Sequence, residues 1–198
     1  MSDSLRERTI SGMLWSFMQK FGTMAIAFVA NIVLARLLTP DDYGCIGMLL
    51  IFIAVANTFI DGGFGSALIQ KKEPTQEDYS TIFYWNLFLS IVLYGILFFT
   101  APFIADFYEI SLLTPVLRVQ GGVLILNALS IIQCNQLRKQ LRFRSIASVN
   151  LTASLLSVVI TIVLAWIGWG IWALVAQQLL FSLFNAILFW SFDKWVPS

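Results

Sequence analysis

SIASVNLTASLLSVVITIVLAWI-GWG-IWALVAQQLLFSLFNAILFW, residues 145–190, is the stretch that decides the fold. It contains no Asp, Glu, Lys or Arg, and each apolar half has about the 20 residues a transmembrane helix needs. The link Gly168-Trp169-Gly170 is so short that the two halves must form an antiparallel hairpin. Four more apolar runs precede it, so the spans fall at about 12–38, 43–69, 79–104, 115–134, 145–167 and 171–190. The expected fold class is an all-α integral membrane bundle of six transmembrane helices, filling residues 12–192.

Composition agrees. The 198 residues are 59% hydrophobic and 12% charged, with a mean hydropathy of +0.83. Soluble domains carry about 45–50% apolar and about 25% charged residues, so an ordinary soluble fold is excluded, as is disorder, which needs low hydrophobicity. Six spans use about 120 residues and leave no room within this stretch for a water-soluble catalytic domain. Histidine is absent, which removes every mechanism that needs a His base, relay or metal ligand. The net charge of +1 offers no basic field for nucleic acid. Cys45 and Cys134 form no CxxC and are expected to be buried thiols rather than a disulfide. The carboxylates are scattered and no Ser or Cys has a nearby base, so neither an enzyme nor a metal centre nor a cofactor is expected.

Punctuation marks the ends of the spans. Ala25-Ile26-Ala27 has the small-x-small form of a signal cleavage site, but the apolar run continues through Phe28–Leu34, which favours a retained span. Thr39-Pro40-Asp41-Asp42 and Lys72-Glu73-Pro74-Thr75 are turn clusters. Pro115 suits the first turn of the fourth span, Pro102 is expected to help stop the third, and Gln136–Arg144 resembles the start of an interfacial helix. Trp15, Tyr84, Trp85 and Trp190 form an aromatic belt on one side, and Tyr43, Tyr108, Trp169 and Trp172 one on the other. Nine of the 12 cations (Arg6, Arg8, Lys71, Lys72, Arg138, Lys139, Arg142, Arg144 and Lys194) fall on the side holding both termini. Loops on the opposite side carry Asp41, Asp42, Asp106 and Glu109. The positive-inside bias places both termini in the cytoplasm, with 1–11 a cytoplasmic N-terminus.

Polar residues within the spans are the candidate functional groups. Lys20 and Asp61 each lie roughly 12–13 Å from the cytoplasmic helix ends at about 1.5 Å per residue. They suit either a coupled pair on a transport path or a salt bridge that neutralises two costly charges. Arg36 and Arg118, nearer the opposite ends, can present a fork to phosphate or carboxylate, or snorkel to headgroups. Asn31, Gln120, Asn127 and Gln133 suit a sugar in a wet cavity or bonds between helices. Ala153, Ser157 and Thr161 form a small-residue packing ridge on the fifth span. Gly62, Gly63 and Gly65 follow Asp61 and permit a local break in the second span. The Arg138–Arg144 cluster can attract anionic membrane lipids besides setting the topology.

Ser11-Gly-Met-Leu-Trp-Ser, Leu34-Ala-Arg-Leu-Leu-Thr-Pro-Asp-Asp-Tyr-Gly44, Asp61-Gly-Gly-Phe-Gly-Ser-Ala-Leu-Ile-Gln70, Tyr84-Trp-Asn, Ala101-Pro-Phe-Ile-Ala-Asp-Phe-Tyr108 and Arg138–Phe143 follow in order. Together they resemble the polysaccharide transporters, or oligosaccharide flippases, of the multidrug/oligosaccharidyl-lipid/polysaccharide superfamily. The resemblance implies an N-terminal six-helix lobe of a two-lobed flippase in the bacterial inner membrane. Its substrate would be a polyprenyl-diphosphate-linked oligosaccharide, moved by alternating access with help from an H+ or Na+ gradient. Implied partners are membrane lipids, a second lobe or another copy of the chain, and polysaccharide assembly proteins, with no nucleic acid. Lys20, Arg36 and Arg118 are the implied contacts for the anionic substrate, with Asp61 the candidate in coupling. Trp195-Val-Pro-Ser198 resembles the start, at 193–198, of a cytoplasmic connector to a second lobe. The alternatives are an ion-coupled drug or cation antiporter of the related branch, and a non-transporting membrane scaffold of a polysaccharide assembly complex.

Overall fold

The computed structural model describes residues 2–62, 68, 71 and 75–192, with the side chains of residues 2–11 and of Asp61 outside that description. Expectations placed on Gly63, Gly65, Lys72-Glu73-Pro74 and the connector at 193–198 fall outside it as well. The described residues contain no strand, and seven helices have described bounds: α1 (Ser2–Leu37), α2 (Pro40–Asp61), α3 (Gln76–Phe107), α4 (Leu113–Gln120), α5 (Gly122–Lys139), α6 (Phe143–Trp166) and α7 (Ile171–Phe192). With α4 and α5 taken as one bent unit, they make six segments long and apolar enough to cross a membrane. The chain is a multi-pass membrane protein.

Local chemistry sets the helix starts. Thr39 caps α2, with Pro40 in its first turn: the Asp42 amide donates to Thr39 Oγ1 at 3.3 Å and the Thr39 amide to Asp42 Oδ2 at 3.0 Å. Thr75 and Asp78 repeat this reciprocal box at α3, and Lys71 Nζ adds an ion pair to Asp78 at 2.6 Å. Such boxes begin a helix in polar sequence, so both helices start three residues before their apolar runs at Tyr43 and Tyr79.

Three expected boundaries are corrected. The second span was expected to reach Ile69, but α2 ends at Asp61, where Gly62 takes a left-handed φ of 38° and donates its N–H to the Thr58 carbonyl. Pro102 does not stop the third span: α3 runs on to Phe107 with Pro102 inside it. Proline removes the N–H that would bond the carbonyl four residues earlier, and that carbonyl, Phe98 O, instead accepts from Arg118 Nε at 3.3 Å. Finally, Gln136–Arg144 is not the start of an interfacial helix. Helix α5 continues through Lys139, a turn with Leu141 at φ 56° follows, and α6 starts at Phe143.

Other features match expectation. Pro115 lies in the first turn of α4. The α6–α7 hairpin turns through Gly168 (φ 92°) and Gly170 (φ 53°), with the Trp169 amide donating to Leu164 O at 3.2 Å. Ala153, Ser157 and Thr161 are buried along α6. Neither Cys45, in the core, nor the half-buried Cys134 is in a disulfide.

Helix α6 packs along both α7 and α1, while α5 packs on α3 and α7. The α1–α6 contact is close because a Cβ at Gly12 or Gly22 would come within 2.6 Å of the Phe143 ring or the Leu151 methyl. Phe28, Phe99 and Trp166 are 66%, 74% and 79% exposed, as expected of side chains that face lipid. The main core unites the ends of α1, α3 and α6 with α4, the starts of α5 and α7 and the length of α2, with Leu34, Leu49, Leu113, Leu117 and Leu124 fully buried. The half of the bundle nearer the termini holds two smaller clusters instead, one around Leu137, Val149 and Phe189 and one around Phe83 and Ile132.

Candidate functional site

Between those two clusters lies a polar cleft of about 350 Å³. Helix α5 lines it with Asn127, Ser130, Ile131, Cys134, Asn135 and Arg138, all on one face because residues three and four apart are neighbours on a helix. That stripe runs for roughly 16 Å at about 1.5 Å per residue. Asn57 of α2, Asn150 of α6 and Asn185 of α7 close the other sides. Five of the chain's seven asparagines thus meet in one cleft, whose lining, among the described residues, contains no carboxylate and a single cation, the exposed Arg138.

Some of these amides are held by protein. Asn127 Nδ2 donates to Asn57 Oδ1 at 3.2 Å, Asn57 Nδ2 to Ile53 O at 3.0 Å, and Asn150 Nδ2 to Ile146 O at 2.9 Å. Ser130 Oγ donates to Asn127 O at 3.0 Å. Others are not held. Asn135 and Asn185 are 5% and 7% exposed, and Asn135 Nδ2 and Asn185 Oδ1 have no partner in the protein. A buried polar group left unpaired costs about 1–3 kcal/mol, so the cleft wall holds one donor and one acceptor without a protein partner.

The residues singled out from the sequence are dispersed. Of the candidate substrate-path residues Asn127 alone lines the cleft, beside Cys134 and Arg138, which the sequence marked for other reasons. Lys20 is exposed on α1 beside Gly12, Ser16, Phe17 and Phe143, and the Asp61 carboxylate, its candidate partner, lies outside the described residues. Arg36 is exposed beside Ile162 and Trp166, and Asn31 is exposed. Arg118 is engaged by α3: besides the bond to Phe98 O, its guanidinium sits 4.4 Å from the centroid of the Phe98 ring. Gln120 is buried and donates to Gln178 Oε1 at 2.8 Å. Gln133 is buried beside Leu129 O and the Trp190 indole, whose Nε1–H donates to Leu129 O at 2.8 Å.

The family model described as "Polysaccharide biosynthesis protein" matches residues 33–198, most of the chain and all of the cleft. The chain belongs to the polysaccharide biosynthesis protein family. It is similar to the teichuronic acid biosynthesis protein TuaB of Bacillus subtilis (strain 168), 26% identical over 98% of this chain and 41% of that protein. It is 26% identical to the succinoglycan biosynthesis transport protein ExoT of Rhizobium meliloti (strain 1021), over 92% of this chain and 37% of the relative. With the lipopolysaccharide biosynthesis protein WzxC of Escherichia coli (strain K12) it shares 30% identity, over 92% of this chain and 36% of the relative. The chain therefore spans about two fifths of the length of these relatives. No solved structure matches it.

The polar cleft residues missed from sequence are Asn57, Ser130, Asn135, Asn150 and Asn185. The signal was present as a polar stripe at 127, 130, 134, 135 and 138 with helical spacing. Depth supplied a second signal: Asn150 and Asn185 each lie seven residues from the helix ends at Phe143 and Phe192, which places them level in an antiparallel pair.

Proposed function

We propose that the chain is a six-span lobe of a transporter that carries a polyprenyl-diphosphate-linked oligosaccharide from the cytoplasmic to the outer leaflet of the bacterial inner membrane. The match of residues 33–198 to the family carries this reading, together with relatives named for the biosynthesis or transport of teichuronic acid, succinoglycan and lipopolysaccharide. These names favour a polysaccharide precursor over the small organic cations of a drug antiporter. A polar cleft inside an apolar bundle also suits a transporter, since polar groups in a membrane domain gather where substrate or water passes. The chain acts without catalytic residues of its own and pairs with a second lobe or a second copy, because alternating access needs two bodies that rock against each other. Its ends face the cytoplasm, where Lys71, Arg138, Lys139, Arg142 and Arg144 meet the positive-inside rule. Lys20 and Arg36, both exposed, are the cations available to the diphosphate, and Asp61 is the group available for H+ or Na+ coupling.

Deletion of the gene in its own host tests the reading. The expected result is loss of surface polymer, with lipid-linked oligosaccharide accumulating where a glycosidase added to spheroplasts cannot reach it. Polymer export at the wild-type level would overturn it.

A further inference from the structure

We propose that the cleft between α2, α5, α6 and α7 is a carbohydrate pocket that holds an uncharged sugar residue through the unpartnered amide nitrogen of Asn135 and amide oxygen of Asn185. The proposal rests on the transporter reading and goes beyond it by placing the glycan inside the lobe. The lining decides the class of ligand. A bound cation would need an opposing charge, and among the described residues no carboxylate lines the cleft. A bound anion would depend, among the described residues, on Arg138 alone, which is exposed. An amide, by contrast, offers a donor and an acceptor from one side chain, and a hydroxyl both donates and accepts, so amides and sugar hydroxyls match in either sense.

Size and surroundings agree. Pockets of roughly 300–1,000 Å³ hold small ligands, and about 350 Å³ admits a single small ring system rather than an oligosaccharide chain. Ile60, Ile131 and Phe189 supply apolar wall beside the amides, as a sugar's C–H face requires. Asn127 and Asn57 bond to each other and Asn57 and Asn150 to their own helices. These fixed amides form the frame, and Asn135 and Asn185 are the buried groups left to bind.

Cys134 provides the probe, because it lines the cleft one position from Asn135, while Cys45 lies in the core. The unmodified protein in membrane vesicles is treated with a small water-soluble methanethiosulfonate, and labelling of the two cysteines is read separately by peptide mass spectrometry. Cys134 is expected to label much faster than Cys45. Glucose, galactose or N-acetylglucosamine at high millimolar concentration should slow Cys134 at least threefold and leave Cys45 unchanged, whereas sodium chloride or phosphate should not. Asn135→Ala and, separately, Asn185→Ala should remove the protection, read as the ratio of labelling with and without sugar within each variant. A vesicle arm loaded with lipid-linked oligosaccharide distinguishes a membrane-delivered glycan from a free sugar. A Cys134 thiol that the reagent cannot reach, a rate that neither the hexoses nor the lipid-linked glycan changes, or equal protection by salt overturns the pocket. The transporter reading fails separately, if hexoses protect Cys134 and gene deletion leaves export intact.

Discussion

Arg118 shows how one side chain can hold up an element to which it does not belong. Pro102 deprives Phe98 O of its helical donor, and Arg118 Nε, from α4, supplies the replacement. In the Pro102→Ala variant the restored amide can bond Phe98 O. Arg118→Met in the wild-type background should then cost about 1.5–3 kcal/mol, the range for hydrogen bonds to charged groups, and clearly less in the Pro102→Ala background. Unfolding of the four proteins in detergent measures the coupling. Equal losses in both backgrounds would free Arg118 for a role toward substrate. Glu109 offers a simpler case. It ends α3 at φ 56°, with the Ile110 amide donating to Ala105 O, and a left-handed conformation costs a non-glycine residue about 1–2 kcal/mol. Glycine carries its own entropic penalty of about 0.5–1 kcal/mol. Glu109→Gly should therefore raise stability by about 0.5–1 kcal/mol, read as a small increase in thermal midpoint.

At the scale of the helix, close approach is set by glycine. A Cβ on Gly22 would lie 2.6 Å from Leu151 Cδ2, so Gly22→Leu must push α1 away from α6. Overpacking of this kind costs about 1–3 kcal/mol, and Leu151→Ala in the same chain should recover part of it; no recovery would mean that α1 docks elsewhere. Contacts of this kind also explain what the sequence made legible. All six spans were readable because hydropathy integrates over twenty residues and needs no tertiary information. Their ends were less readable: Thr39 and Thr75 start helices through polar caps, and Gly62 stops one by a left-handed turn within an apolar run. Pro102 misled because the partner that rescues its helix is sixteen residues downstream, on another element. The cleft was the hardest feature to see. Asn57, Asn150 and Asn185 come from three separate helices, and only packing reveals that they face the same space as the α5 stripe.

At the scale of the molecule, the lobe is built unevenly. Its continuous core lies toward the end away from the termini, where Leu34, Leu113, Leu117 and Val175 interlock. The other half is divided by the asparagine cleft into two small clusters. This division is a cost the fold would not carry for stability alone, because amides replaced by apolar groups of similar shape no longer need partners. Asn135→Leu together with Asn185→Leu should therefore stabilise the lobe by about 1–3 kcal/mol, the penalty for an unpaired buried group. In a domain of this size that is a rise of about 2–4 °C in thermal midpoint per kcal/mol. The same double substitution should abolish protection of Cys134 by sugar and reduce polymer export. The combination matters more than either result. A variant that is more stable and less active identifies the asparagines as retained for a ligand. One that is less stable would make them part of the scaffold, with Asn135 and Asn185 satisfying each other or a neighbouring helix when the lobe moves.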